Sequence, residues 1–454
     1  MRSRIRKIFL LSGDVFFFYL SLYLALFIRH GQLPSAELWE RHFLDFSLLL
    51  VVWLLIFYIS NLYHLSLIVN NQKFLKTALK SFTVAVLISI TFFYITAVFD
   101  YVSPRTNLAI FAGVFLVLFL VWRRLFAQGL SLYAPKDNLA IIGISPEVEF
   151  LIKEIKEKPH LGYKLSFIFD QEKKLKELNG IPVFNQTNQL RELIKKKKVK
   201  TIIIDQDLSS LSNLRPIFFT CLNLKVNFLS LPDFFESISG RIPIRTINQA
   251  WFLEKLNEGD KEVFDKTKRI YDLALSFSIL LLTLPLYPLI AIIIKLESKG
   301  PVFFRQKRLG QNGEEFTIIK FRSMRIENNH QTLTRDQDDR ITKWGSFLRK
   351  SRLDELPQVF NILKGEMSFV GPRPERPEFV EKLEKEIPFY RERMLVKPGL
   401  TGWDQISGEY HSPSYQDSLK KLQYDLFYIK NRSLFLDLSI ILKTVSTVIS
   451  KGGR

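Results

Sequence analysis

The chain has 454 residues, and its 64 Lys and Arg against 45 Asp and Glu give a formal net charge of +19. At about 150 residues per domain, this length predicts roughly three structural units. Hydrophobic residues make up 47% of the chain and charged residues 24%, which predicts apolar blocks beside basic ones and excludes one uniform soluble globule. The single cysteine, Cys221, excludes an intramolecular disulfide and a thiolate zinc cluster. The positive charge indicates anionic partners, such as lipid headgroups, nucleic acid or phosphorylated substrates.

Four apolar stretches in the first third of the chain are each close to the length that crosses about 30 Å of hydrocarbon. They run over residues 8–28, 43–63, 82–99 and 108–122. The first stretch continues into Arg29 without a small-residue cleavage site, which favours an uncleaved anchor over a signal peptide. The sequence therefore predicts a membrane α-helical bundle of four transmembrane helices over residues 1–130.

Basic residues are concentrated on one side of these stretches. The flanks on that side carry Arg2, Arg4, Arg6, Lys7, Lys73, Lys76, Lys80, Arg123 and Arg124, and the opposite flanks carry Arg29, Arg41 and Arg105. Because cytoplasmic loops retain positive charge, the amino tail and everything after residue 124 are predicted to be cytoplasmic. Asp14 and Asp45 lie near the ends of spans and are interpreted as interfacial carboxylates.

The middle third alternates short apolar strands with amphipathic helices, which is typical of a doubly wound parallel sheet. Strands are predicted over residues 139–142, 165–169, 201–204 and 226–229, and helices over residues 146–158 and 190–197. The sequence therefore predicts a Rossmann-like α/β domain over residues 137–260.

The turn after the first of these strands, residues 143–146, has only the first of the three glycines that dinucleotide binding requires. This disfavours NAD, and another small ligand, a regulatory role or a scaffold and oligomerisation role remain open. The lysine run at residues 195–198 is interpreted as a solvated helix face near anionic lipid headgroups. No base-reading module follows it, so nucleic acid is not predicted as a partner.

A second kind of membrane segment begins near residue 270. Residues 274–294 carry no charge over 21 positions, both flanks are basic, and Pro285 and Pro288 lie in the centre. Proline lacks an amide donor and clashes with the preceding turn, so it bends a helix. We interpret residues 270–295 as a re-entrant helix that breaks at Pro285 and returns to the same face, with a kinked fifth transmembrane helix as the alternative. Further helices are predicted within residues 419–429 and 438–449, facing either the core or the membrane interface.

Two adjacent carboxylates, Asp354 and Glu355, precede an apolar helical pattern that ends at Gly365. Asp354 is predicted to be the N-cap, with Glu355 and Pro357 in the first turn and Gly365 closing the helix. Basic neighbours are expected to keep both carboxylates ionised at neutral pH; these are Arg340, Arg349 and Arg352. Capping with salt bridges is the purely structural alternative.

Three further motifs surround this helix in sequence: Lys320 to Met324, Gly371 to Pro374, and Lys397 to Gly402. Guanidinium groups and loop amides are what a diphosphate needs, and ionised carboxylates suit a divalent cation or a phosphorus electrophile. Together they indicate phosphoryl transfer. The sequence has no P-loop or kinase glycine loop, so ATP chemistry of those classes is not predicted.

These motifs resemble those of the bacterial sugar transferase family, the monotopic phosphoglycosyl transferases. The matching stretches follow in the same order at residues 299–306, 320–324, 353–358, 367–374 and 397–402. The resemblance covers residues 266–454 and implies a mainly α-helical catalytic domain, with some β structure, over residues 264–454. With the four leading stretches and the α/β part, the whole chain resembles the long members. These are undecaprenyl-phosphate sugar phosphotransferases that begin exopolysaccharide or O-antigen synthesis.

The resemblance implies a reaction and roles for individual residues. A sugar-1-phosphate would pass from a UDP-sugar to polyprenyl phosphate with release of UMP. Asp354 would be the nucleophile that forms a phosphosugar-aspartyl intermediate, Glu355 and Asp354 would hold Mg²⁺, and Pro285 would break the re-entrant helix. Contacts to substrate phosphates are expected from Arg373, Arg322, Arg352, Lys320, Arg340 and Lys397.

The resemblance also implies a location in the bacterial cytoplasmic (inner) membrane, with both soluble domains in the cytoplasm, and it is compatible with a homo-oligomer. Two positions depart from the family pattern: Asp404 follows Trp403, and Asp339 precedes Arg340. They bear on fine substrate contacts.

Two other functions are weighed against this one. A non-enzymatic scaffold or regulator of polysaccharide export would leave the acid pair without a purpose. A membrane-anchored nucleotide-sugar dehydratase would need an NAD fingerprint and a Tyr-x-x-x-Lys pair, and none of the 15 tyrosines has a lysine four residues on.

Overall fold

The computed structural model describes residues 2–63, 71–96, 105–133, 137–158, 161–171, 175–205, 213–256, 259–325, 338, 340–407 and 414–449. The chain divides into two units, Met1–Ser230 and Leu231–Arg454. Each unit has its own helices, strands and hydrophobic core.

The first unit begins with four long helices, α1 (Arg2–His30), α2 (Ala36–Ile59), α3 (Asn71–Thr96) and α4 (Arg105–Tyr133). Each is long and apolar enough to cross a membrane, and 33% of its most apolar 18-residue stretch is buried. The predicted set of four apolar helices is therefore confirmed. Aromatic rings fill the space between the helices: Phe18 lies 4.8 Å from Phe111 and 5.9 Å from Trp53, between ring centroids.

Asp14 corrects the sequence interpretation, because it lies inside the bundle and is only 1% exposed. Its Oδ2 accepts a hydrogen bond from Nη2 of Arg123 at 2.5 Å, and Nη1 of Arg123 donates to the carbonyl of Leu62 at 2.8 Å. The interfacial interpretation of Asp14 is therefore wrong. Arg123 was counted as a flanking charge, but α4 continues ten residues beyond it and turns its side chain into the bundle. A carboxylate can be buried here because a guanidinium neutralises it.

Replacing Asp14 by Ala is expected to lower the free energy of unfolding by about 3–5 kcal/mol, because it leaves the buried guanidinium of Arg123 without its counter-ion. Replacing both residues by apolar ones of similar size, Asp14→Leu with Arg123→Met, should recover most of the loss. The measurement is thermal unfolding of the full chain in detergent. The matched control is Glu37→Ala, which removes the exposed 2.5 Å pair with Arg41 and should change little. An Asp14→Ala variant as stable as this control would contradict the prediction.

An α/β fold completes the first unit. Its elements are β1 (Asp137–Ile142), α5 (Pro146–Glu157), β2 (Tyr163–Phe169), β3 (Glu177–Leu178), β4 (Ile181–Phe184), α6 (Leu190–Lys196), β5 (Val199–Ile204), α7 (Arg215–Cys221) and β6 (Asn227–Ser230). The sheet order is β3-β4-β2-β1-β5-β6. All neighbours pair in parallel except β3, which pairs antiparallel with β4 at the edge. The predicted parallel sheet is confirmed, whereas β3 and β4 were not predicted.

The turn after β1 shows why Gly143 is glycine. Its φ is +100°, in the left-handed region, and a Cβ there would lie 2.9 Å from Cβ of Asp205. The close neighbour of this backbone is thus a carboxylate, whose negative charge disfavours a diphosphate at the same place. Dinucleotide glycines serve the opposite purpose, because they let a pyrophosphate approach.

Residues after β6 belong to the second unit, although the sequence analysis assigned residues up to 260 to the α/β domain. They form α8 (Leu231–Ser239) and α9 (Gln249–Lys255). Ile242 donates its amide to the carbonyl of Gln423 at 3.0 Å, and Ile242, Ile244 and Trp251 are buried in the core of the second unit. In the described residues the sheet ends at β6. These apolar side chains therefore pack in the core of the second unit and not on the sheet.

Two helices with a sharp bend follow, α10 (Glu262–Thr283) and α11 (Leu286–Glu297), whose axes differ by 62°. The bend lies at Leu284 and Pro285, as expected where proline removes an amide donor. Their exposed apolar residues include Phe277, Leu282 and Leu289. A re-entrant hairpin and a kinked span both contain such a bend.

The rest of the second unit follows these helices in the chain. It comprises β7 (Phe303–Leu309), β8 (Glu315–Phe321), α12 (Lys343–Lys350), α13 (Gln358–Lys364), β9 (Ser368–Val370), α14 (Pro377–Glu386), β10 (Gly399–Thr401), α15 (Tyr415–Asn431) and α16 (Leu434–Ile449). β7 and β8 form an antiparallel hairpin, and β9 pairs in parallel with β10. The apolar side chains of α15 face the core, whereas α16 buries Ile440 and exposes Phe435 and Leu438.

Candidate active site

The acid pair, Asp354 and Glu355, lies in a short 3-10 turn, Leu353–Glu355, and α13 begins only at Gln358. The prediction that Asp354 is the N-cap of this helix is therefore wrong. Amides of this segment bond three residues back, as Leu356 does to Leu353 at 3.2 Å. Pro357 precedes α13 and has no amide hydrogen to offer a capping carboxylate. Gly365 ends α13 with a φ of +88°, as predicted.

Glu355 is buried at the centre of three basic side chains. Its Oε1 accepts hydrogen bonds from Nζ of Lys320 at 2.8 Å and from Nη2 of Arg373 at 3.0 Å, and its Oε2 lies 3.6 Å from Nη1 of Arg352. Burial alone would raise the pKa of Glu355, but these three charges outweigh it and hold the pKa well below its usual range. Glu355 is therefore ionised, as predicted, and anchors three cations from three parts of the chain.

Asp354 differs from Glu355 in its hydrogen bonding and in the direction of its pKa shift. Its Oδ1 is buried and has no hydrogen-bond partner among the described residues. Burial, followed by the charge of Glu355, raises the pKa of Asp354 to about 6, against the opposite effect of Lys320, Arg349 and Arg352. At neutral pH roughly nine tenths of the carboxyl groups are still ionised. Asp354 is thus a buried carboxylate with an unbonded oxygen and with cations around it.

Arg349 was predicted as a basic neighbour of the acid pair but not as a phosphate contact, and the side chain of Gln358 was not predicted to take part. Arg349 lies near Asp354 and donates from Nε to Oγ of Ser323 at 2.8 Å. Gln358 is 2% exposed, and its Nε2 has no partner in the described part of the chain. It follows Asp354 by four residues and is the first residue of α13. The signal in the sequence was its position inside the motif at residues 353–358.

The backbone of the loop that carries Arg373 is fixed by a buried arginine, Arg393. The carbonyl of Arg373 accepts a hydrogen bond from Nη2 of Arg393 at 3.0 Å, and the same nitrogen donates to Oδ2 of Asp425 at 2.7 Å. Burial raises the pKa of Asp425 to about 6. The charge of Arg393 acts in the opposite direction, and the charge of the nearby Asp404 raises the pKa further. Asp404, one of the two departures from the family pattern, is therefore a buried carboxylate near Asp425.

The loops at residues 371–374 and 397–402 touch backbone to backbone. A Cβ at Gly371 would lie 2.4 Å from the carbonyl of Lys397, and a Cβ at Gly399 would lie 2.1 Å from the amide of Gly371. Both positions therefore require glycine, and this contact explains why the two motifs occur together.

Three residues predicted to contact phosphates have other partners or surroundings in the structure. Arg322 is buried and donates to the carbonyls of Ser298 at 2.6 Å and Lys299 at 2.9 Å, which fixes the end of α11. Arg340 forms a two-bond pair with Asp338 at 2.8 and 2.6 Å. Asp339, the other departure from the family pattern, lies outside the described residues.

The third of these residues, Lys397, lines a cavity whose lining includes neither member of the acid pair. The structure therefore brings Lys320, Arg352 and Arg373 to the acid pair and engages Arg322, Arg340 and Lys397 at other places.

The fold and the site define a membrane-associated protein in which a buried acid pair and basic groups suit phosphoryl chemistry. Residues 263–451 match the family model described as bacterial sugar transferase, and residues 50–232 match a model described as CoA-binding domain. The chain belongs to the bacterial sugar transferases, and the predicted enzyme class, a phosphoglycosyl transferase, is confirmed.

Several curated proteins are similar to the chain. A UDP-glucose:undecaprenyl-phosphate glucose-1-phosphate transferase of Klebsiella pneumoniae is 31% identical over 453 residues, which cover 95% of this chain and 93% of that protein. A protein with the same name from Xanthomonas campestris pv. campestris is 34% identical over 69% of this chain and 67% of its own length. A UDP-N-acetylgalactosamine-undecaprenyl-phosphate N-acetylgalactosaminephosphotransferase of Aeromonas hydrophila is 40% identical over 48% of this chain and 51% of its own length.

Proposed function

We propose that the chain transfers a sugar phosphate from a UDP-sugar to undecaprenyl phosphate and releases UMP. The names of the relatives support the acceptor and the class of donor. The main observation that supports the proposed mechanism is that Oδ1 of Asp354 is buried and unbonded among basic side chains. A carboxylate with two satisfied oxygens would be structural, whereas this one has an oxygen available for a substrate.

In the proposed first step, Oδ1 of Asp354 attacks the phosphorus that bears the sugar. A phosphorus–oxygen bond forms to the carboxylate, the phosphoanhydride bond breaks, and UMP leaves with the bonding electron pair. In the second step, a phosphate oxygen of undecaprenyl phosphate attacks the same phosphorus and displaces Asp354. Splitting the transfer lets a water-soluble donor and a lipid acceptor use one site in turn.

The basic side chains on Glu355 have a role in both steps. Lys320, Arg352 and Arg373 stand beside the attacking carboxylate and can neutralise the negative charge of the donor diphosphate. Glu355 fixes these cations before the substrate arrives. Arg349 and the amide of Gln358 are further donors next to Asp354, within reach of the transferred phosphoryl group or its sugar.

The site can offer Mg²⁺ one protein ligand, the carboxylate of Asp354. In proteins Mg²⁺ is bound through one or two carboxylates with waters and substrate phosphates completing its shell. Because Oδ1 of Asp354 is assigned to the attack on phosphorus, Mg²⁺ would be held through the other oxygen of Asp354, Oδ2, whereas Glu355 is already engaged by cations. Among the described residues no three acidic, His or Cys side chains come together as a metal group. Mg²⁺ bound there would supply charge neutralisation on the diphosphate.

We also infer the membrane arrangement from the sequence and the bend at Pro285. A re-entrant α10–α11 pair would hold the acid pair at headgroup depth, where the acceptor phosphate must lie. The basic flanks at both ends of residues 274–294 support entry and return at one face, and we place that face in the cytoplasm of the inner membrane.

The proposal is tested with the purified full chain, undecaprenyl phosphate, Mg²⁺ and a panel of UDP-sugars, by identifying the nucleotide released. UMP is expected with one or a few of the sugars. Release of UDP would instead indicate an ordinary glycosyltransferase and would overturn the proposed transfer. A chain that releases no nucleotide with any donor would favour the scaffold alternative.

The rate of UMP release is expected to fall by about tenfold per pH unit below pH 6, because Asp354, with a pKa of about 6, is protonated there and loses its nucleophilic charge. Above the pKa of Asp354 the carboxylate is ionised and the rate should be nearly flat up to neutral pH. Initial rates at saturating donor, measured from weakly acidic to neutral pH, give this profile. A rate that stays constant well below pH 6 would contradict the assignment of Asp354.

A further inference from the structure

The cavity lined by Lys397 has a volume of about 100 Å³ and lies beside α10, and we name it the α10 cavity. Its charged lining residues are Asp265, Lys268, Arg269, Asp272, Lys397 and Arg432. Its volume is sufficient for several water molecules, since one needs about 10–15 Å³ by this measure. It is separated from the acid pair by α13: Asp354 precedes this helix, and Gly365 ends it, about 10 Å further along.

Most charges that line the α10 cavity are already paired. Lys268 is paired with Asp437, and Arg432 donates to Asp265 at 3.1 and 3.3 Å. The carboxylate of Asp272 accepts the amide of Phe369 at 3.1 Å. The cavity is lined by four basic residues. These contacts supply three carboxylates, from Asp265, Asp272 and Asp437, so one net positive charge remains.

The excess positive charge is carried by Arg269 and Lys397. A Cβ built on Gly365 would lie 3.5 Å from Nζ of Lys397 and 3.6 Å from Nη2 of Arg269, so the two cations converge at the end of α13. Arg269 donates to the carbonyls of Ile362 at 2.6 Å and Leu363 at 2.7 Å, which accounts for its position. Lys397 has no hydrogen-bond or ion-pair partner in the part of the chain that the structure describes.

The state of Lys397 fits a site that lacks its anion. Burial, followed by the charge of Arg269, lowers the pKa of Lys397. The charges of Asp272 and Asp265 act in the opposite direction, but neither carboxylate bonds to Lys397, so an anion between the two cations would reduce their repulsion. Ser368 and Tyr428 also line the cavity, and the hydroxyl of Tyr428 donates to Oδ1 of Asp437 at 2.9 Å.

The position along α10 indicates where such an anion comes from. The lining residues of α10 lie at positions 265–272, immediately before the uncharged stretch at residues 274–294. This is the border between the polar and the apolar part of the helix, which in a membrane lies at the depth of the headgroups.

We propose that the α10 cavity binds a phosphate group at headgroup depth through Lys397 and Arg269, at a site separate from the acid pair. The ligand is a phosphate carried by an anionic membrane lipid or free phosphate, since both present the same oxygens to the two cations. This goes beyond the proposed transfer reaction, because the cavity lies at the other end of α13 from Asp354.

The test is equilibrium binding to the full chain in detergent, without a UDP-sugar, so the result does not depend on turnover. The probes are short-chain phosphatidylglycerol, short-chain phosphatidylcholine and inorganic phosphate. The variants are Lys397→Gln, Lys397→Arg, and Lys364→Gln as the matched control, because Lys364 is an exposed lysine at the same end of α13. Arg373→Gln reports binding at the acid pair.

Phosphatidylglycerol is expected to bind the unchanged chain more tightly than phosphatidylcholine. Lys397→Gln should weaken this binding by about tenfold or more, because a charge-assisted hydrogen bond is lost. Lys397→Arg, Lys364→Gln and Arg373→Gln should retain it. If inorganic phosphate alone shows this dependence on Lys397, the ligand is free phosphate and the site still stands. Binding of neither probe, equal binding by Lys397→Gln, or loss of binding in Arg373→Gln would overturn the proposal.

Discussion

Replacing Asp354 by Asn is expected to reduce sugar-phosphate transfer by at least about 10³-fold, because the amide keeps the shape of the side chain but removes the nucleophile. No other described carboxylate beside Asp354 can take over this role, since Oε1 of Glu355 is held by Lys320 and Arg373 and its Oε2 lies 3.6 Å from Nη1 of Arg352. The loss should appear in the maximal rate, because the charged groups that bind the donor remain.

The measurement is UMP release by Asp354→Asn beside a matched control, Asp233→Asn. Asp233 lies in the same unit and makes a partly exposed ion pair with Lys255 at 3.4 Å, so its loss should leave the rate nearly unchanged. The same variants can be expressed in cells that lack the chromosomal gene. A non-enzymatic scaffold would keep its cellular role with Asn at position 354, and that outcome would contradict the enzymatic account.

Replacing Glu355 by Gln is expected to reduce transfer by about 10²-fold or more and also to move the acidic limb of the pH profile to lower pH. The rate falls because Lys320, Arg352 and Arg373 lose the charge that fixes them. The limb moves because the negative charge of Glu355 raises the pKa of Asp354. Without that charge, and with the same cations near it, Asp354 ionises more readily.

The shift of the limb separates this role of Glu355 from direct metal binding. A side chain that acts only as a ligand would change the Mg²⁺ concentration needed for activity and leave the limb near pH 6. Glu315→Gln is the matched control, because Glu315 lies on the same strand as Lys320 and makes an exposed pair with Lys307 at 2.9 Å. A Glu355→Gln variant with full activity, or with a limb moved to higher pH, would contradict the proposed arrangement.

Local patterns were sufficient to predict much of the fold. Apolar runs such as residues 139–142 and 201–204 are confirmed as strands of a parallel sheet. They could be predicted because both faces of such strands are buried, which makes their sequences continuously apolar. The strand Glu177–Leu178 was missed, because two residues carry no periodicity. The attachment of Ile242 and Trp251 to the second unit was missed as well, since any core would accept their apolar side chains.

Pairs that join distant positions could not be predicted. Asp14 and Arg123 are 109 residues apart, and nothing in either local pattern indicates that one neutralises the other. In the candidate site, motifs drew attention to Lys320, Asp354 and Arg373, but a motif does not say which way a side chain points. Arg322 belongs to the same motif as Lys320, yet it donates to the carbonyls at the end of α11. The raised pKa of Asp354 likewise depends on burial, which only the folded chain supplies.

The central claim is that Asp354 becomes covalently bound to the sugar phosphate. Its most direct test mixes the purified chain with the preferred UDP-sugar and Mg²⁺ while undecaprenyl phosphate is absent, and follows UMP and the mass of the protein together. The account predicts a rapid release of at most one UMP per chain and a matching gain in mass of one sugar phosphate, located by peptide analysis at Asp354 and lost when acceptor is added. UMP release that begins only after the acceptor is added, with no gain in mass at any time, would contradict it.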